Sequence, residues 1–267
     1  MSSLLYEGFS EMDKIRSIAF NFLYVFGSLF WSLVLLWTFV LPPRRCTAMI
    51  SRIYGGYISL IEKYVMGLKL ELRGLENLPV GTPYIIAAKH QSAYETLKLP
   101  FMARFDYPVI ILKKELTRLP VWGLYPKRMG LIAIDRSAGM ESMRAMIAGC
   151  RGAMDDKRNV IIFPQGTRVA PGAIEDYKPG LAKIYKDLNV PIVPMALNTG
   201  VYWARNAFFK KSGTIIFEFL PPLPAGEAPL QTMKTLEERL EAASDKLVRE
   251  AGGPALGTVP PRGRKKN

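Results

Sequence analysis

The chain holds 267 residues, 49% of them apolar, with 36 Lys and Arg against 23 Asp and Glu, a formal net charge of +13. That is enough apolar material for one domain with a sizeable core plus an appendage, and the two cysteines, Cys46 and Cys150, argue against a disulfide framework and lack metal-ligand spacing, so no metal is expected and a reducing, cytosol-facing location fits. The cationic excess suits an anionic partner, and composition alone does not choose among nucleic acid, phosphorylated substrate and acidic lipid.

The choice narrows at the N-terminus. Residues 18–41 carry no charge and only Asn21, Ser28, Ser32 and Thr38 as polar interruptions, a run long enough to span a bilayer. Trp31 and Trp37 sit within it, Lys14 and Arg16 flank one side, and Arg44 and Arg45 the other. No small-residue cleavage site follows before Pro42 and Pro43, which argues against a removed signal peptide. A second stretch, 48–70, places Ile50, Ile53, Tyr54, Tyr57, Ile58 and Ile61 at helical spacing. The two stretches would form a helical hairpin held in one leaflet, with the following positive charges keeping the rest of the chain on the cytoplasmic side. A bilayer-spanning first stretch and a second that is a buried core helix are the alternatives. Residues 1–70 are therefore assigned to membrane-associated helices.

Beyond them, short apolar runs alternate with helical ones. Strands are expected at 84–88, 109–112, 131–134, 160–163, 192–197 and 214–220. Met140, Met143, Ile147, Cys150 and Met154 recur every three or four residues as one face of an amphipathic helix, a stripe that reads as core. Further helices are expected at 180–188 and 230–247. Such alternation predicts an α/β fold with a largely parallel sheet flanked by helices over residues 71–251. Residues 252–267, rich in Gly, Pro, Arg and Lys, read as a basic disordered tail able to touch anionic lipid.

Open α/β sheets place their sites at the carboxyl ends of strands, and polar residues collect there. The only histidine, His90, ends the first expected strand, and Ser92 with Glu95 three positions on reads as a helix start. Residues five apart on a helix point about 140° away from each other, so His90 and Glu95 meet only if His90 precedes the helix. Glu95 would then fix the imidazole and stabilise its protonated form while the other ring nitrogen takes a proton from substrate. The plainer alternative makes Glu95 a cap and His90 a core residue. Pro164-Gln165-Gly166-Thr167-Arg168 follows another strand. There Gly166 permits a tight turn, and the Arg168 guanidinium matches phosphate in bidentate fashion. Asp135-Arg136 ends a third strand, as a phosphate contact or a structural ion pair.

Taken together, His90-Gln91-Ser92-Ala93-Tyr94-Glu95, Gly130 through Arg136, Phe163 through Arg168 and Val190-Pro191-Ile192-Val193-Pro194 resemble the four ordered motifs of the glycerolipid acyltransferases. The resemblance covers residues 71–220, and the N-terminal helices are similar to those of bacterial members. It implies acyl transfer to the free sn-2 hydroxyl of lysophosphatidate, with a thioester co-substrate, acyl-coenzyme A or acyl-carrier protein, and no resident cofactor. His90 would be the base and Glu95 its orienting carboxylate. Arg168 and Arg136 would contact the acceptor phosphate, with Asp135, Gln165, Gly166 and Thr167 shaping that site and Pro194 lining it. The expected setting is the cell inner membrane, with the catalytic domain facing the cytoplasm. Two positions depart from the pattern. Glu95 stands where Asp is usual, and Gln165 where Glu is usual, which keeps another acceptor, such as a lyso-ornithine lipid, open.

Three rivals are weaker. A hydrolase lacks a G-x-S-x-G elbow, and Ser92 is too near His90 along the chain to serve as its nucleophile. A membrane-anchored lipid-binding module would keep lipid affinity without His90. A nucleic-acid protein would need a basic patch without the lipid-buried helix.

Overall fold

Alternating side chains along each apolar run divide the core into two layers, one on each face of a sheet, in a computed structural model that describes residues 9–102, 105, 107–135 and 138–260. The strands are β1 (Leu68–Arg73), β2 (Ile85–Ala88), β3 (Val109–Lys113), β4 (Ile132–Ile134), β5 (Val160–Ile162), β6 (Ile192–Leu197) and β7 (Gly213–Phe219). They lie in the order β1-β7-β6-β2-β5-β3-β4. The block from β6 to β4 is parallel, while β7 runs antiparallel to β6 and carries β1 parallel to itself.

The expected strands are therefore present, and β1 is an addition. Its Leu-Lys-Leu-Glu-Leu-Arg alternation is the signature of a half-buried edge strand. Because it begins three residues before position 71, the division between residues 70 and 71 falls inside it.

In β2, Ile85 and Ala87 point to one layer, and Ile86 and Ala88 to the other. The first layer is closed by the helices Gly139–Asp155, Gly180–Leu188 and Pro229–Glu250, through residues such as Cys150, Ile184 and Leu240. The second is closed by the N-terminal helices. Phe20 and Leu35 come from the first of these, and Ile50, Tyr54, Ile58 and Ile61 from the second, which is helical from Pro43 to Met66. The second apolar stretch is thus a buried core element that covers the sheet.

The first helix, α1 (Glu11–Val34), continues as a tighter turn to Val40. Its 30 residues form the one helix among the described residues long and apolar enough to cross a membrane. Ser17, Phe20, Ser32, Leu35 and Thr38 face the protein, while Phe22, Phe26, Leu29, Phe30, Leu33 and Trp37 are exposed. Near its start, Lys210 is fastened to α1 by a hydrogen bond to Asn21 Oδ1 at 2.6 Å, with its ammonium 4.7 Å from the centre of the Trp203 ring. Lys210 is only 2% exposed, and burial pushes its ammonium down to about 8. Between that value and the usual lysine range the unfolded chain holds a proton that the folded one has released, so folding stability rises with pH there. In detergent, the urea stability of wild type relative to Lys210→Met is expected to rise from pH 8 to pH 10. A flat difference would show that the ring contacts keep Lys210 charged throughout.

The segment after Gly252 differs from expectation in its described part. Gly253 N–H bonds Val248 O at 2.8 Å and Gly257 N–H bonds Gly172 O at 2.8 Å, so residues 252–260 are tied to the domain. The basic residues Arg262, Arg264, Lys265 and Lys266 lie outside the described residues.

Candidate active site

β2 delivers its last residues to a turn, and the short helix Tyr94–Lys98 follows. His90 therefore precedes the helix, as the meeting with Glu95 requires. Its Nδ1 lies 3.1 Å from Glu95 Oε2. The same carboxylate accepts from the Gln91 N–H at 3.2 Å, from the Ser92 N–H at 3.0 Å and from the hydroxyl of Thr199. The helix Tyr94–Lys98 has Ala93 at its N-cap and no side-chain cap, so Glu95 is not a cap in the ordinary sense: its side chain folds back to satisfy N–H groups of the turn before the helix and holds the imidazole at the same time. Glu95 is fully buried, and with Nδ1 committed to it only Nε2 of His90 remains for substrate. The ring is further fixed by stacking on Phe163, with centroids 4.0 Å apart. Ser92 is fully buried and its Oγ accepts from the Tyr94 N–H at 3.1 Å, so it is no nucleophile facing a substrate.

Thr199 and Gly200 complete the turn from the far side. Gly200 N–H donates to Gln91 Oε1 at 3.0 Å, and a Cβ at Gly200 would meet Gln91 Cβ at 2.9 Å, so only glycine allows this approach. Both residues come just after β6. The fourth motif thus serves the site through Thr199 and Gly200, beyond its own strand. Pro194, expected to line the site, instead pairs with Ala87 inside the sheet, where its carbonyl accepts from the Leu220 N–H.

His90 opens onto a cavity of ≈ 890 Å³, at the upper end of what single ligands fill. On one side of His90 lies the Pro164–Arg168 turn, which bonds His90 O through the Val169 N–H at 2.8 Å. Gly166 adopts φ +65°, a left-handed conformation that lets the chain reverse at the cavity wall. Thr167 and Arg168 line the cavity, joined by Lys178 and Arg205. Arg205 donates to Thr167 Oγ1 at 3.2 Å and to Arg168 O at 2.9 Å. The turn is therefore braced by a guanidinium that no local motif announced. On the other side the cavity becomes apolar between Met143, Met146, Ile162, Leu181 and Ile184. The methionine stripe accordingly divides. Met154 packs against the core, Met143 lines the cavity and Met140 is exposed.

Two expected site residues lie elsewhere. Gln165 is 1% exposed and does not line the cavity; its Nε2 donates to Glu175 O and to Glu241 Oε1, each at 3.4 Å. Asp135 is half-buried after β4 and also outside the lining, and Arg136 lies outside the described residues. Beneath the site, Lys89 reaches both oxygens of Glu241 at 2.5 Å, and Tyr177 donates to Glu241 at 2.9 Å. Burial pushes the Lys89 ammonium down, and Glu241 opposes that shift.

A buried histidine–carboxylate pair lies between a cationic turn and an apolar channel; residues 69–198 match the family described as Acyltransferase, and the chain belongs to that family. It is 30% identical over 236 residues to the 1-acyl-sn-glycerol-3-phosphate acyltransferase of Pseudomonas aeruginosa, covering 87% of this chain and 90% of that one. To mouse 1-acyl-sn-glycerol-3-phosphate acyltransferase alpha it is 26% identical, covering 73% of this chain and 69% of the relative. The crystal structure of a 1-acyl-sn-glycerophosphate acyltransferase from Thermotoga maritima shares the fold, with TM-score 0.69 at 17% identity over 88% of this chain and 97% of that one.

Proposed function

We propose that this protein transfers a fatty acyl group from a thioester carrier, acyl-coenzyme A or acyl-carrier protein, to the free sn-2 hydroxyl of lysophosphatidate, giving phosphatidate at the cytoplasmic face of the inner membrane. One observation carries the reading: a single cavity joins His90 to a cationic turn on one side and an apolar channel on the other. The relatives' names supply the acceptor. His90 Nε2 takes the proton of the acceptor hydroxyl as its oxygen attacks the thioester carbonyl. A C–O bond forms, the C–S bond breaks, and the proton passes from His90 to the departing thiolate. Glu95 offsets the positive charge that His90 carries in between. A thioester is already activated, so alignment of the two substrates supplies much of the remaining rate.

Gln165 bears on the acceptor question through its position. It is buried against Glu241 and does not line the cavity, so the departure from the usual Glu leaves the charge of the cavity wall unchanged. That favours a phosphate-bearing acceptor over a lyso-ornithine lipid. For α1, contact with the domain from Ser17 to Thr38 along one face, with an apolar exposed face opposite, favours a helix seated in one leaflet over one that crosses the bilayer.

The test is Arg168→Lys, which keeps the charge but loses the planar fork. Loss of a charge-assisted hydrogen bond is worth about 1.5–3 kcal/mol, so kcat/KM for lysophosphatidate should fall roughly 10- to 150-fold. A monoacylglycerol acceptor, which has no phosphate, should be affected far less. Equal losses on both acceptors would assign Arg168 to the donor or to the fold.

A further inference from the structure

Between β3 and the short helix Leu124–Arg128, the chain forms a loop that is internally fastened yet presents large apolar side chains to solvent. Thr117 Oγ1 donates to Lys114 O at 2.7 Å and Gly123 N–H bonds Leu119 O at 2.9 Å, so the loop has a defined shape. Val121, a β-branched residue, sits at φ +59°, a strained conformation that ordinary turns avoid. On this frame Leu116, Leu119, Trp122 and Leu124 are 39%, 47%, 36% and 54% exposed. An ordered loop that holds four such side chains in water marks an interaction surface.

Its surroundings identify the partner. The loop is flanked by Lys113, Lys114, Arg118 and Lys127, all exposed, with Glu115 the only acidic residue between Lys113 and Arg128. The adjoining helix is joined to the C-terminal part of α1: Tyr125 OH donates to Ser32 O at 2.5 Å, and Arg128 Nη2 donates to Phe39 O at 2.7 Å. The apolar loop thus continues the exposed apolar face of α1, which ends at Trp37 and Val40. Leu116 and Trp122 line the catalytic cavity on the loop side, and Ser28, Trp31 and Leu35 line it on the α1 side.

We propose that residues 114–124 form a second membrane-inserting element, docked on an anionic bilayer beside α1, and that the cavity opens to the lipid phase between the two. The apolar side chains enter the acyl region, and the lysines and Arg118 meet the phosphate headgroups. A lipid substrate then passes from the leaflet to His90 without its acyl chain crossing water. The proposal rests on the membrane-associated reading above, and the experiment separates the two.

Both native cysteines are buried, so Leu119→Cys and Phe26→Cys in the full chain each offer one accessible thiol for an environment-sensitive fluorophore. The labelled proteins, purified in detergent, are diluted into vesicles of phosphatidylcholine and phosphatidylglycerol in equal parts. Both probes should shift to the blue and be quenched by brominated acyl chains. A response at position 26 with none at 119 overturns the loop proposal and leaves the α1 reading standing. Silence at both overturns the membrane reading and the proposal with it. The second arm is Leu119→Asp with Leu124→Asp, neither of which lines the cavity. kcat/KM for vesicle-held lysophosphatidate should fall roughly 10-fold or more, the scale of excluding leucines from an apolar phase. Activity on a short-chain monomeric acceptor should be unchanged. An equal fall on both acceptors makes the loop a wall of the catalytic cavity and overturns the proposal.

Discussion

His90→Ala is expected to lower acyl transfer by roughly 10²- to 10⁴-fold, the range a positioned general base contributes. No second histidine exists in the chain to take over the proton. The variant should fold, because Glu95 keeps its bonds to the Gln91 and Ser92 N–H groups and to Thr199 without the ring. The loss should fall on kcat with little change in KM for either substrate, since His90 is assigned to proton transfer while Arg168, Thr167 and the apolar channel hold the substrates. The measurement is steady-state turnover in mixed micelles beside a melting curve for both proteins. Turnover within a few-fold of wild type would sink the mechanism. A melting curve shifted as far as the rate would instead make His90 a packing residue.

Much of this site was legible because it is local. His90 and Glu95 are five positions apart, and the residue types around them mark a strand end and a helix start, so their meeting follows from chain geometry. The alternation of strands and helices was equally local. Partners set by topology could not be read. Thr199 meets Glu95 across 104 positions, and Glu241 meets Lys89 across 152, with no spacing rule connecting them. Arg205 braces the Thr167–Arg168 turn for the same reason. β1 escaped for a different one. Its charged alternate residues come directly after an apolar helical stretch, and Leu68 and Leu70 extend that periodicity as well as they begin a strand. In sequence the N-terminal helices look like an appendage because membrane helices and core helices share one composition. Only the paired faces of β2 reveal that they close the second face of the sheet.

Glu241→Ala is expected to cost about 3–5 kcal/mol of stability, the scale for breaking a buried ion pair by removing one partner. Lys89 is 3% exposed and has no other carboxylate within ion-pair distance among the described residues. The melting temperature should fall roughly 6–20 °C, at about 2–4 °C per kcal/mol for a domain of this size. Turnover should fall further, because Lys89 precedes His90 at the end of β2. The cost has a ceiling that depends on pH. Rather than remain buried and charged, Lys89 in the variant can release its proton, which from an ordinary value of 10.5 costs about 5 kcal/mol at pH 7 and about 2 kcal/mol at pH 9. The unfolded chain still binds that proton, so the variant gains stability relative to wild type as pH rises. The deficit measured by urea unfolding in detergent should therefore shrink between pH 7 and pH 9. Charge relocation completes the test. Gln165 Nε2 lies 3.4 Å from Glu241 Oε1, so Gln165→Glu alone crowds two carboxylates into one dry site, whereas Gln165→Glu with Glu241→Gln returns a single negative charge to the side of Lys89. The double variant should be more stable than either single one, a coupling that neighbours sharing one buried charge must display. Additive losses would mean that Gln165 and Glu241 serve separate contacts, and that the cation beneath the active site is compensated by Glu241 alone.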